Sequence, residues 1–291
     1  MRLSINTNAI GKRFSELEFF QMIAQAGFEA VDYSFCGFWD ADSPWQLNDR
    51  EAYAARLVEA AKQNGLCLTQ AHAECVYNWD DPNVIDEKII PTVKENIRLC
   101  SLLGIDKMVV HGLSHPAVRT PVEVKLEANI RYFNELKPVA RQYGVKIALE
   151  NLRYVCTTPD EYEYLMNTLD DDVFIACVDL GHSVIAGQDI TQVIRRLGHD
   201  RVKLMHCHDN ALVTDDHMIP GTGKINWGDV LQALADIRYT GDFSLELIYY
   251  VNGFLDNEHG FDDDFAPKAL EIARISGAYL RDKLQKMLAE N

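Results

Sequence analysis

Three short segments concentrate groups that bind metals or move protons. "MHCHDN" (205–210) sets His206 and His208 either side of Cys207, with Asp209 behind them. "VDLGH" (178–182) spaces Asp179 and His182 three residues apart, and "ALEN" (148–151) carries Glu150. Elsewhere lie His72, His111, Asp215, His217 and Glu246. Carboxylates mixed with imidazole suit a divalent ion such as Mn²⁺, Mg²⁺, Co²⁺ or Zn²⁺, and glutamates beside such an ion suit proton transfer. Taken singly, each residue has an ordinary explanation. A strand-end histidine is commonly a hydrogen-bonded structural group, and an acid there commonly caps a helix. Their chemistry depends on whether the fold delivers them to one place.

The chain that must do so has 291 residues, 47% of them hydrophobic and 25% charged, which matches ordinary globular proteins. No apolar run approaches the roughly 18 residues needed to span a membrane. The opening "MRLSINTNAIGKRF" lacks the apolar stretch of a secretory signal, so a cytoplasmic location and no membrane partner are expected. A formal net charge of −16 disfavours nucleic acid as a partner, because displacing counterions from phosphates needs a cationic footprint. The seven cysteines (Cys36, Cys67, Cys75, Cys100, Cys156, Cys177 and Cys207) are scattered, with no C-x-x-C pair. That spacing predicts neither a disulfide framework nor a zinc ribbon, and most should be small buried hydrophobes.

Short β-rich runs alternate with longer amphipathic ones. The predicted strands are 3–8, 30–35, 67–72, 107–112, 146–151, 174–180, 202–209 and 243–250. Gly27, Gly65, Gly104 and Gly144 each stand just before a strand, where a helix-stop glycine belongs. Eight alternations predict an α/β fold, a (β/α)8 TIM barrel formed as one domain over 1–291. An open doubly wound sheet is the alternative, but no G-x-G-x-x-G follows the first strand. Barrel active sites form at the C-terminal strand ends. His72, His111, Glu150, Asp179 with His182, His206 with His208 and Asp209, and Glu246 all fall at such ends, on six consecutive strands. Alternation along a strand puts His206 and His208 on one face and Cys207 on the other, towards the outer helices. Likewise Glu150 shares a face with Ala148, and Glu246 with Ser244.

The ordered set "ALEN", "VDLGH", "HCHDN", "DDHMIPGTGKINW" (215–227) and "LEL" (245–247) resembles the xylose isomerase-like TIM-barrel superfamily, which holds sugar and sugar-phosphate isomerases and epimerases together with endonuclease IV. The ketose 3-epimerase branch implies one divalent metal on Glu150, Asp179, His206 and Glu246. His206 is favoured over His208 as the first residue of an H-x-x-D/E motif ending at Asp209. The resemblance further implies that His182 contacts a substrate oxygen and that Glu150 and Glu246 move the proton, on a sugar or sugar phosphate. The endonuclease IV branch implies up to three zinc ions, with His72, His111, His182, Asp215 and His217 as added ligands, and phosphodiester hydrolysis. Barrels of this superfamily often pair, so a homo-oligomer is allowed for.

Trp39 and Trp79 fall in predicted loops on the strand-end side, where they could stack on a sugar or simply pack. "PGTGK" (220–224) lacks phosphate-loop spacing and reads as a tight turn leading into a helix at Trp227, although Lys224 could meet a substrate anion. Arg153 is a further candidate for an acidic group or a surface residue. "FDDDF" (261–265) reads as a solvated helix start.

Overall fold

The computed structural model of the chain describes residues 1–46, 49–75, 82–113, 121–255 and 260–290. Eight parallel strands are ordered β7-β6-β5-β4-β3-β2-β1-β8. They are β1 (Leu3–Asn6), β2 (Ala30–Ser34), β3 (Cys67–His72), β4 (Lys107–Val110), β5 (Lys146–Glu150), β6 (Phe174–Asp179), β7 (Val202–His206) and β8 (Phe243–Leu245). The seam between β7 and β8 is made just past the end of β7. There Cys207 N–H donates to Ser244 O (2.8 Å) and Glu246 N–H donates to Cys207 O (3.2 Å). With helices between successive strands, this is a single (β/α)8 barrel.

Local chemistry accounts for the connections. The helix Glu16–Ala26 opens with a capping box, in which the Ser15 side chain accepts from Glu18 N–H and the Glu18 carboxylate accepts from Ser15 N–H. It stops at Gly27, whose φ of 92° is open to glycine without strain. Gly65, Gly104 and Gly144 take the same left-handed conformation ahead of β3, β4 and β5.

Alternation sorts the strands into two cores. Ile147, Leu149, Ala176, Val178, Met205, Cys207 and Leu245 belong to the large cluster shared with the outer helices. Val109, Ala148, Ile175, Cys177 and Leu204 form a small separate cluster inside the barrel. The rest of the interior is polar: Ser4, Asn6, Asp32, Gln70 and Ser244 are all buried. The predicted faces therefore hold, Cys207 facing outward included.

Several strands are shorter than the β-rich runs suggest. β1 gives way to a 3-10 turn, Thr7–Ile10, because the Asn6 side chain accepts from Asn8 N–H and turns the chain. β8 ends at Leu245 and a short helix, Tyr250–Leu255, follows. His111, His208 and Glu246 thus lie beyond the strand ends, in the loops that cover the barrel mouth. Among the described residues no helix is long and apolar enough to cross a membrane.

Candidate active site

The register of β5, β6 and β7 brings their C-terminal ends to one rim. Glu150 pairs with Cys177, and Asp179 pairs with His206, so three rim side chains stand in adjacent rows. Glu246 joins them across the β7–β8 seam. One ligand atom from each of Glu150, Asp179, His206 and Glu246 lies within 4.8 Å of all the others. All four residues are buried.

Three carboxylates surround His206. Its Nδ1 faces Glu150 Oε1 (2.8 Å) and Glu246 Oε1 (3.4 Å), and its Nε2 faces Asp32 Oδ2 (3.1 Å). Asp32 comes from β2 and is fully buried, and it also accepts from Gln70 Nε2 (2.9 Å) and Ser244 Oγ (3.3 Å). Such a carboxylate fixes the histidine tautomer so that the lone pair points at the cluster. Nothing in the sequence motifs signals Asp32. The available signal is a lone acid inside the β-rich run "AVDYSF".

Two further groups flank the centre. On one side, His111 Nε2 lies 2.8 Å and His72 Nε2 3.5 Å from Glu150 Oε2. On the other, Asp215 Oδ2 lies 3.0 Å from His182 Nε2 and 3.5 Å from His217 Nε2. His208 Nε2 lies 3.0 Å from Asp179 Oδ2, and its ring stacks on His217 with centroids 4.1 Å apart. Asp179 plays a second part as the cap of the helix Leu180–Ile185, accepting from His182 N–H. Gly181 sits under His208 so closely that any Cβ there would overlap the imidazole.

The electrostatics call for a cation. Burial pushes the Glu150 carboxyl up, yet His206 and His111 hold it well below the usual carboxylate range. Burial opposes charging of His182, but Asp179 and Asp215 raise it to about 10. His217 is raised to about 9, chiefly by Asp215 and Glu246 against the cost of burial. Among the described residues no lysine or arginine pairs with Glu150, Asp179 or Glu246. Three buried carboxylates on one centre are costly unless neutralised, and imidazolium protons are then the protein's own means of doing so. A divalent ion bound by these oxygen and nitrogen donors would replace those protons. The donor set fits such an ion.

Other expected contributors stand apart. Asp209, the acid of the H-x-x-D motif, turns away from the cluster into the following loop. It accepts from Gly221 N–H (2.9 Å), Ile225 N–H (3.0 Å) and Trp227 Nε1–H (2.9 Å), which builds the predicted tight turn. Lys224 and Arg153 are exposed, and no contact joins either to the cluster among the described residues. Trp39 donates to Thr92 Oγ1 (2.9 Å) and packs under Lys88, so its contacts are with the segment before and within the helix Ile90–Leu102. Trp79 lies outside the described residues. "FDDDF" does lead into the helix Ala266–Glu290. A cavity of about 540 Å³ opens at the ends of β1 and β2 on the same rim, lined by Thr7, Ser34, Cys36, Lys12, Arg13 and Arg56 among others.

Comparison with known proteins agrees with the fold. A family model described as "Xylose isomerase-like TIM barrel" matches residues 20–269. Among curated relatives, the inosose isomerase of Bacillus subtilis is 27% identical over 175 residues, 56% of this chain and 62% of that protein. A probable endonuclease 4 of Persephonella marina is 22% identical over 237 residues, 75% of this chain and 83% of that protein. The chain spans only 60% and 52% of the length of two uncharacterized relatives, from Methanocaldococcus jannaschii and Sinorhizobium fredii. A solved structure of IolI protein with a bound zinc atom superimposes with a TM-score of 0.78 over 98% of this chain and 99% of that one, at 17% identity. At that identity the likeness establishes the fold.

Proposed function

The chain belongs to the xylose isomerase-like TIM-barrel family, and from that premise we propose that it is a divalent-metal-dependent isomerase or epimerase. Its substrate class is a ketose, a sugar phosphate or a polyol-derived hydroxy-ketone, converted through an enediolate. The observation that carries this is the convergence of Glu150, Asp179, His206 and Glu246, buried, on one centre. A relative named inosose isomerase supports the substrate class, and the IolI structure with its bound zinc atom supports a metal on this fold. A cytoplasmic location is proposed with it.

These four residues would hold a divalent ion, which when bound would supply Lewis acidity towards a carbonyl and its neighbouring hydroxyl. Glu150 and Glu246 both approach His206 Nδ1, at 2.8 and 3.4 Å, and in this reading one removes the carbon-bound proton and the other returns one. Return to the opposite face epimerises, and return to the adjacent carbon isomerises. His182 donates from Nδ1 to Asn151 O (3.1 Å) while its Nε2 faces Asp215 Oδ2 (3.0 Å), so a substrate oxygen that displaces Asp215 would meet the Nε2–H. His72, His111, His208, Asp215 and His217 then serve as positioning or substrate-binding groups.

One observation favours a second possibility, an endonuclease IV-like phosphodiesterase. His72, His111 and Glu150 form one ligand group beside the four-residue centre, and Asp215 contacts both His182 and His217, so donors for more than one ion are present. Metal content separates the two. About one Mn, Mg or Co per chain, with turnover in a ketose panel and deuterium uptake from D₂O into product, supports the isomerase. Two to three zincs with hydrolysis of bis(p-nitrophenyl) phosphate supports the second. Absence of metal uptake after reconstitution overturns both.

A further inference from the structure

Cys36 and Cys75 are far apart in sequence but come together at the rim, one on the loop after β2 and the other after β3. Their Sγ atoms lie 3.9 and 3.8 Å from His72 Nδ1, and all three atoms are within 4.8 Å of one another. Both thiols are half-buried, whereas Cys100, Cys156, Cys177 and Cys207 are fully buried and Cys67 is exposed. We propose that Cys36, Cys75 and His72 form a second, soft metal site that takes Zn²⁺ through two thiolates and one imidazole, leaving a fourth position open. This site does not depend on the isomerase assignment.

The dimensions agree with a tetrahedral ion. Zinc–sulfur bonds of about 2.3 Å and zinc–nitrogen bonds of about 2.0–2.1 Å imply S···N edges of about 3.6 Å and an S···S edge of about 3.8 Å. The observed S···N edges are longer by only 0.2–0.3 Å, taking about 3.6 Å as the ideal. The donors are also fixed in advance. His72 is the buried last residue of β3, paired with Ser34 of β2. Cys36 N–H donates to Ser34 Oγ (3.1 Å), Glu74 accepts from Phe38 N–H (2.5 Å), and Glu74 N–H donates to Asn96 Oδ1 (3.0 Å), tying the two loops together. Two thiolates and a neutral imidazole balance the charge of the ion, and thiolate ligands select zinc from the harder ions suited to the carboxylate centre.

Binding is a ligand exchange with no change of redox state. The two thiol protons are released to solvent. His72 Nδ1, which lies 2.7 Å from Ala73 O, gives up the proton it shares with that carbonyl, and Nε2 carries the ring proton instead. Nε2–H then faces His111 Nε2, 3.0 Å away, with Glu150 Oε2 farther off at 3.5 Å, so the ring proton is held on the side of the carboxylate centre. Zinc at the thiol site would thereby set which proton Glu150 feels.

Cobalt reports the site directly. Reduced protein titrated with Co²⁺ should develop intense thiolate-to-cobalt charge transfer and tetrahedral visible bands whose final intensity corresponds to one thiolate-bound cobalt per chain, beside the cobalt taken by the carboxylate centre. The bands should persist in Glu246→Gln, which impairs the carboxylate centre, and should vanish in the double variant Cys36→Ser, Cys75→Ser with unchanged circular dichroism. Added Zn²⁺ should bleach the bands and protect two thiols from a disulfide reagent. Weak octahedral absorption alone in the wild type, bands surviving in the double variant, or unchanged thiol reactivity with Zn²⁺ would each overturn the site. None of these readouts uses turnover, so failure of the ketose panel leaves them intact.

Discussion

Replacing Asp32 by Asn removes one buried charge from the barrel interior while nearly preserving the side chain's shape. Three donors converge on Asp32 Oδ2: His206 Nε2 at 3.1 Å, Gln70 Nε2 at 2.9 Å and Ser244 Oγ at 3.3 Å. The amide oxygen of Asn is therefore held in that position, and the His206 tautomer is kept. What is lost is the negative charge that makes Nδ1 a strong ligand, since charge-assisted hydrogen bonds are about twice as strong as neutral ones. The new NH₂ group takes the place of Oδ1, which has no partner among the described residues and is buried. Changes to such outer carboxylates cost about 10–100-fold in metal affinity, equivalent to about 1.4–2.7 kcal/mol. Competition titration of Mn²⁺ into Asp32→Asn should show a loss in that range, smaller than the loss in Glu150→Gln, which removes one of the four proposed ligands. Native circular dichroism with wild-type affinity would refute the assignment of Asp32 as the group that orients and charges His206.

Glu246→Gln should lower turnover by about 10²–10⁴-fold once metal is saturating, as expected for a lost acid–base group, and steady-state rates at raised metal concentration check this. Gly181→Ala forces a Cβ into the His208 ring and should destabilise the fold by about 1–3 kcal/mol in urea denaturation; an unchanged midpoint would mean that His208 moves freely. Chelation should lower the melting temperature, since an ion at 100 times its Kd contributes about 2.7 kcal/mol to the folded state. In chelator, the raised pKa values of His217 (about 9) and His182 (about 10) contribute stability that is fully present below their unfolded value near 6.5. That contribution should fade as pH rises through 9 to 10, and a flat urea midpoint from pH 6.5 to 10 would contradict it. The depressed carboxyls of Glu150, Asp179 and Asp215 act in the other direction, losing their contribution as acid protonates them.

The barrel was legible because its signals are local. Period-two apolar runs, helix-stop glycines and their eightfold alternation follow from backbone sterics and burial, which neighbouring residues already specify. The rim residues were legible for the same reason: a strand's direction sets which end is its C-terminus, and alternation sets which side chains turn inward. Long-range partners carry no such local mark. Asp32 matters because β2 and β7 face each other across the barrel, bringing a carboxylate to His206 from far away in the chain. Asp209 reads in sequence as part of the rim cluster, yet the Gly221 and Ile225 N–H groups and the Trp227 indole hold it in the following loop, because backbone donors need an acceptor. Cys36 and Cys75 look unrelated until parallel pairing of β2 with β3 sets their loops side by side. Residue types and period reveal what each strand end can offer, and barrel closure chooses which of those groups meet.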